Sequence, residues 1–203
     1  MFRGLAKDLS GTADICNTVT NLSKTLAAAY LLPGETILFA FASAKEEFAF
    51  TNEALITVCG ENATTTRKLV ERYEYRDARI RHVQFETTGR VDRDCEIKFH
   101  IGEVYVSIDI AKKEEELVKA HYKALVALSR EQHERARNWE LAKMALDRAA
   151  DALHLKDPAS GAVSLTTQAS QALQWLEDDF ARLNPRSYRG VVVPALPASG
   201  RRK

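Results

Sequence analysis

The sequence has only three cysteines, Cys16, Cys59 and Cys95, and their spacing fits neither a disulfide framework nor a C-x-x-C pair. Reduced thiols in a cytoplasmic setting are therefore expected. The five histidines (His82, His100, His121, His133 and His154) show no H-E-x-x-H or comparable ligand spacing. A glycine-rich phosphate loop and a G-x-S-x-G nucleophile elbow are also missing. These absences argue against an enzyme and leave no metal, cofactor or catalytic residue to name. No run approaches the roughly 18 apolar residues that span a bilayer, and the first thirty residues lack a signal-peptide core. Net charge is scarce too, at +1. After Asn184 come Arg186, Arg189, Arg201, Arg202 and Lys203 with no acid, so the preceding 184 residues carry about −4. A body of that charge is not a nucleic-acid binder, which would need clustered Lys and Arg.

What is present is 45% apolar and 28% charged, enough for one ordinary core plus an accessory element in 203 residues. Ile15, Val19, Leu22, Leu26 and Tyr30 recur at three- and four-residue steps, which predicts a helix over residues 13–31, stopped by "LPGE" at 32–35. Period-two alternation then begins with Ile37, Phe39 and Phe41 and continues through Phe48, Phe50, the apolar run 55–59 and a charged strand at 66–75. Val83 and Phe85 face away from His82, Gln84 and Glu86. Cys95, Ile97, Phe99 and Ile101 form an apolar row opposite Asp94, Glu96, Lys98 and His100. Gly102-Glu103 reads as a hairpin turn into Val104, Val106, Ile108 and Ile110. Seven short strands imply an α+β fold built on a seven-stranded antiparallel barrel or sandwich.

A capping helix is predicted over about 112–129. Beyond it Leu125, Leu128, Gln132, Arg135, Trp139, Ala142, Leu146, Ala149 and Leu153 keep heptad spacing, broken only by the polar Gln132 and Arg135. "KDPASGA" at 156–162 is a loop, and a second amphipathic helix runs to about Leu183 on Leu165, Ala169, Leu173, Leu176, Phe180 and Leu183. The two helices form an αα-hairpin. The remainder is punctuated by Pro and Gly and reads as a mobile basic tail, with Val191 to Val193 able to extend a strand edge.

The stretch "VQFETTGRVDRDCEIKFHIG" (83–102) gathers Glu86, Asp92, Asp94 and Glu96 within a few residues of Lys98. Acid/base chemistry needs a carboxylate pair around a pocket, and a hard-metal site needs more oxygen ligands than one strand face presents. The alternation assigns these charges to a solvated or interfacial sheet face, where they pair locally.

Four short motifs in order, "LLPGE", "FTN" at 50–52, E-T-x-G at 86–89 and D-x-E-I-K at 94–98, resemble the bacterial pleckstrin-homology (PH)-like domain family. Phe50, Thr51, Asn52, Glu86, Thr87, Gly89, Asp94, Glu96, Ile97 and Lys98 carry the likeness, which covers about residues 3–127. Two departures stand out: "KEE" at 45–47 replaces the usual Arg-Asp, and Glu53 replaces a basic residue after "FTN". The resemblance implies an N-terminal helix and turn (1–34), a PH-like domain (35–129), a helical-hairpin oligomerisation extension (130–184) and a basic, flexible tail (185–203). It also implies a non-catalytic domain that assembles into ring-like homo-oligomers through its strands and added helices. Phosphoinositide binding is not implied, and the loop "ASAKEE" at 42–47, with one lysine against two glutamates, repels phosphate about as much as it attracts it.

The expectation is thus a self-assembling scaffold or protein-binding module, its partners being other copies of itself and a further protein. Trp139, Ala142, Leu146, Leu153 and Trp175 are the candidate oligomer interface, since a two-helix hairpin buries only one face of each helix. The alternative is a peripheral membrane or phosphoinositide-binding module that uses the basic tail.

Overall fold

A computed structural model describes residues 14–60, 67–87, 94–154 and 165–197. The chain divides into two compact units, one formed by residues up to Ser129 together with those from Ser187 onward, the other by Arg130–Arg186.

In the first unit, strands β1 (Asn17–Thr18), β2 (Ile37–Ala42), β3 (Glu46–Thr51), β4 (Ala54–Gly60) and β5 (Lys68–Glu74) form one antiparallel sheet in that order. Strands β6 (Ile80–Glu86), β7 (Asp94–Ile101) and β8 (Val104–Ala111) form a second. Helix α1 (Glu115–His154) follows a short 3₁₀ turn at Lys112–Glu114. The alternation along β7 sends Cys95, Ile97, Phe99 and Ile101 inward. They meet Phe39, Phe41, Phe50 and Leu55 from the first sheet and Val118, Leu125 and Leu128 from α1. The α+β, PH-like architecture expected from the alternation is thus present, as two packed sheets. No closed barrel forms, because β5 and β6 are in different sheets.

The predicted N-terminal helix is not there. Cys16-Asn17-Thr18-Val19-Thr20 is rich in β-branched and short polar residues, which favour extended backbone over helix. Asn17 and Thr18 pair with Ala42 and Phe41 of β2, while Cys16 makes a parallel bridge to Ile110 of β8. This segment therefore stitches the two sheets together along one side. Two 3₁₀ turns, Leu22–Lys24 and Leu26–Tyr30, then lie across the outer face of the five-stranded sheet. Ala27 is fully buried there against Ala40, Ala49, Ile56 and Val58. Small side chains on both surfaces let the backbones approach, so this sheet is covered on both faces. The three- and four-residue periodicity marks neither a regular helix nor this burial, since Leu26 and Tyr30 are half exposed and the buried Ala27 lies outside the spacing.

Residues 187–197 of the tail also differ from expectation, whereas 198–203, with Arg201, Arg202 and Lys203, lie outside the described residues. Residues 187–197 belong to the first unit, and Arg189–Ala195 form helix α3, not a strand edge or a flexible end. Tyr188 and Val192 are buried in the core, and Val191, Ala195 and Leu196 pack against it. Gly190, three consecutive valines and Pro194 give α3 little helical preference of its own. Tertiary packing supplies what propensity does not.

In the second unit, α1 from Arg130 onward pairs with α2 (Leu165–Leu183). Trp139 meets Phe180 edge-to-face at 5.3 Å between ring centroids. The polar breaks in the heptad have a structural use here. Arg135 donates through Nη1 to the Arg182 carbonyl at 3.1 Å and ion-pairs Glu131 at 2.7 Å. A cation is thereby placed on one of the last carbonyls of α2, where the helix dipole favours it. Gln132, three residues earlier, is buried.

Candidate functional site

The "LPGE" and "FTN" motifs come together at one end of the first unit. Leu32-Pro33-Gly34-Glu35 is a type II turn: the Glu35 amide donates to the Leu32 carbonyl at 3.0 Å, and Gly34 has φ +83°. The turn buries the Glu35 carboxylate, which accepts from Thr51 Oγ1 (2.5 Å), Arg72 Nη1 (2.9 Å) and the Leu32 amide (2.9 Å). Burial alone would raise the carboxyl pKa. The hydrogen bonds from Arg72, Leu32 and Thr51 outweigh it and hold Glu35 below the ordinary carboxylate value.

Thr51 is the hub of the following turn, because its hydroxyl also accepts from the amides of Glu53 (3.0 Å) and Ala54 (2.8 Å). Phe50 stacks on Phe39 in the core at 4.4 Å. Asn52 faces the C-terminal segment. Its Oδ1 accepts from the Thr36 amide at 2.6 Å, and its Nδ2 donates to Ser187 Oγ at 3.0 Å. Its carbonyl accepts from the Tyr188 amide at 2.7 Å. Arg189 Nη1 donates to Thr36 Oγ1 at 3.0 Å, and the Tyr188 ring stands edge-on to Tyr75 at 6.1 Å. The "FTN" motif is therefore a clasp for Ser187–Leu196, and nothing in the local spacing of "FTN" announces a partner 135 residues away.

The acidic stretch is a paired sheet face. Lys98 Nζ reaches Glu86 at 2.6 Å and Glu96 at 2.7 Å, and hydrogen bonds to these two glutamates hold the ammonium above its ordinary pKa. Ser107 donates to the Glu96 carboxylate. Asp94 opens β7 opposite Ala111, Ile97 is fully buried, and Thr87 follows the end of β6. Gly89 and Asp92 lie outside the described residues. Among the described residues no three His, Cys, Asp or Glu side chains are arranged to hold a metal ion.

The histidines hold one surprise. A bulge between Arg81 and Gln84 puts His82 at φ +53° and brings its ring within 5.7 Å of His100, which lies 5.2 Å from Tyr105. An alternating strand pattern does not reveal a bulge. His121 is buried between Phe39 and Phe41, at 4.7 and 5.2 Å. Burial pushes its pKa down to about 4, with the Leu117 carbonyl opposing only in part.

All three thiols are shifted upward. Burial pushes Cys16 up to about 12, and Cys59 and Cys95 up to about 11. In the "ASAKEE" loop the single Lys45 ion-pairs Asp14 at 2.8 Å, and Glu47 is turned inward to another task. No cradle for phosphate forms from these side chains. In the hairpin, Trp139, Ala142 and Leu146 are half-buried and Trp175 is 46% exposed. The Leu153 side chain lies outside the described residues. Leu141 and Met144, which the heptad reading passed over, are about half exposed, and so is Leu173, which the sequence places on the apolar seam of the second helix.

A five-stranded and a three-stranded antiparallel sheet packed around one core, with a helix leading out of the last strand, define a PH-like fold. The chain belongs to the bacterial PH domain family, whose profile matches residues 4–129. The YvbH protein of Bacillus subtilis (strain 168) is 35% identical over 179 residues, covering 86% of this chain and 87% of that protein. The crystal structure of a PH-domain-containing protein from Exiguobacterium sibiricum 255-15 is 31% identical, with a TM-score of 0.79 over 91% of this chain and 100% of that one. Both likenesses are too long to stop at Ser129 and so run into the hairpin. A pleckstrin-homology protein from Shewanella loihica PV-4 is 22% identical, with a TM-score of 0.45 over 57% of this chain and 97% of that one.

Proposed function

We propose that this chain is a non-catalytic, cytoplasmic PH-like module that assembles into homo-oligomers through its helical hairpin and offers the assembled domains as a protein-binding scaffold. One observation carries the reading. Leu141 and Met144 on α1, and Leu173 and Trp175 on α2, are each between 46% and 57% exposed within a 57-residue unit. Large apolar side chains left open on both helices of so small a unit are what a homotypic interface needs. The polar chemistry elsewhere is already engaged, in Glu35–Arg72, Lys98–Glu86–Glu96 and Lys45–Asp14, and holds structure in place.

The test is light scattering behind size exclusion on the full chain and on full-length variants carrying Leu141→Glu with Met144→Glu, or Leu173→Glu with Trp175→Glu. Truncation after Ser129 is the wrong experiment, since it also removes Tyr188 and Val192 from the core of the first unit. A defined oligomer that falls to a smaller species with unchanged helix content in the variants supports the proposal. A monomeric full chain overturns it.

A further inference from the structure

Two histidines from neighbouring strands meet on the outer face of the three-stranded sheet. The register of β6 and β7 pairs Arg81 with His100 and Gln84 with Lys98, so His82 and Val83 together stand against the single Phe99. Val83 keeps the inward direction and packs against the core. His82 is the inserted residue, exposed and at φ +53°. A left-handed backbone strains any residue with a side chain, and a bulge serves to re-aim one. Here it brings the His82 ring to 5.7 Å from the His100 ring, with 83° between their planes.

The surroundings of the pair point to a ligand. Nδ1 of His100 is shut off from water and has no hydrogen-bond partner among the described residues. A bare buried nitrogen is uncommon and calls for a partner that the chain does not supply. The Tyr105 ring, 5.2 Å away, flanks His100 as well. The two cations beside the pair in the register are already matched. Arg81 donates to the Gly102 carbonyl and to Glu103, and Lys98 bridges Glu86 and Glu96. Neither leaves an unbalanced positive charge to repel an incoming cation. The donor set is imidazole nitrogen alone, since no third His, Cys, Asp or Glu among the described residues joins it.

From this geometry we propose that His82 and His100 form a two-histidine site for a divalent transition metal of the zinc class. Imidazole suits zinc, nickel and copper, whereas magnesium and calcium take oxygen ligands. Two imidazoles on one tetrahedral zinc, with Zn–N bonds of about 2.0–2.1 Å, place their ring centroids about 5 Å apart. The observed 5.7 Å therefore needs only a small rotation of the exposed His82 ring. The ion satisfies the bare Nδ1 of His100 and gives the strained bulge at His82 a use. Two protein donors leave the remaining positions to water, so the ion is held loosely and stays open to a further donor. The site is independent of the hairpin and of self-assembly.

The test is calorimetric titration of Zn2+ into the metal-free full-length chain, with Mg2+ as the comparison ion. One equivalent of Zn2+ is expected to bind, and Mg2+ is expected to give no binding heat. His82→Asn removes one imidazole with a residue that accepts the left-handed backbone, and His100→Gln removes the other. Each should weaken Zn2+ binding by at least the ~10–100-fold that loss of an outer-shell partner costs. His133→Gln, at an exposed histidine of α1, should leave it unchanged. A parent chain that takes up no Zn2+ overturns the site, and so does Zn2+ binding that survives His82→Asn or is matched by Mg2+. NMR of the imidazole nitrogens reads the parent chain alone, without relying on how the variants fold. Zn2+ should move the signals of His82 and His100 and leave those of His121, His133 and His154 in place. Any other pattern overturns the assignment.

Discussion

Glu47 on β3 holds Ala27 in place. Its Oε1 accepts from the Ala27 amide at 2.8 Å and its Oε2 from the Leu26 amide at 2.9 Å, so one buried carboxylate caps the 3₁₀ turn that covers the outer face of the sheet. Thr25, the residue in the capping position, makes no side-chain cap bond. Glu47→Gln replaces one acceptor oxygen by a donor facing an N–H, and should cost about 1–3 kcal/mol by urea unfolding. Glu47→Ala should cost at least as much. A Gln variant as stable as the parent would mean that the cap contributes nothing.

Gly34 should tolerate no L-residue without strain. A Cβ there meets nothing within 4 Å, so any penalty comes from the backbone at φ +83°. Gly34→Ala is expected to lose about 1–2 kcal/mol, and Gly34→Asn less, since Asn accepts the left-handed region more readily. Equal losses for the two would point to packing and not to backbone conformation.

His121 makes stability depend on pH in a defined window. Its pKa is about 4 in the folded protein against 6.5 when unfolded. Above about pH 6.5 both states are neutral and nothing is lost. As pH falls from 6.5 to 4, the unfolded chain takes up a proton that the folded one refuses, so the folded state loses up to about 3 kcal/mol. His121→Leu should abolish that loss. Unfolding of parent and variant at pH 7 and pH 4.5 measures it, and parallel pH profiles would contradict the assignment.

Trp139 and Phe180 should be energetically coupled. Their edge-to-face contact predicts an interaction of about 1 kcal/mol in a double-mutant cycle of Trp139→Ala and Phe180→Ala, measured at a protein concentration where the oligomeric state is fixed. Additive effects would place the principal contact of Trp139 elsewhere, including on another copy.

The periodicities of this sequence reach far into the structure. The alternation from Ile37 to Ile110 yields the β2–β8 ladder and its inward rows, because side-chain direction in a strand is a local consequence of backbone pleat. The heptad from Leu125 marks the packed side of the hairpin, because helical pitch is local as well. The family motifs were legible as motifs, but their use was not. "FTN" spells a turn and a clasp only when Ser187 is present, and the pairing of His82 with His100 needs a bulge that alternation hides. At the N terminus the apolar spacing misidentifies both the conformation and the buried residue: Leu26 and Tyr30 are half exposed, and it is Ala27 that packs on Ala40 and Ala49 from a distant part of the chain.

The sequence by itself determined the strand faces and the α1 side of the hairpin, since each follows from residue type and short-range spacing. Only the tertiary structure decided that residues 16–18 stitch two sheets together, that Leu26–Tyr30 cover one of them, and that Ser187–Leu196 return to finish the core. Those outcomes depend on surfaces far apart in sequence meeting in space. Segments with weak local preference, such as residues 16–30 and 187–196, take whatever conformation buries them best.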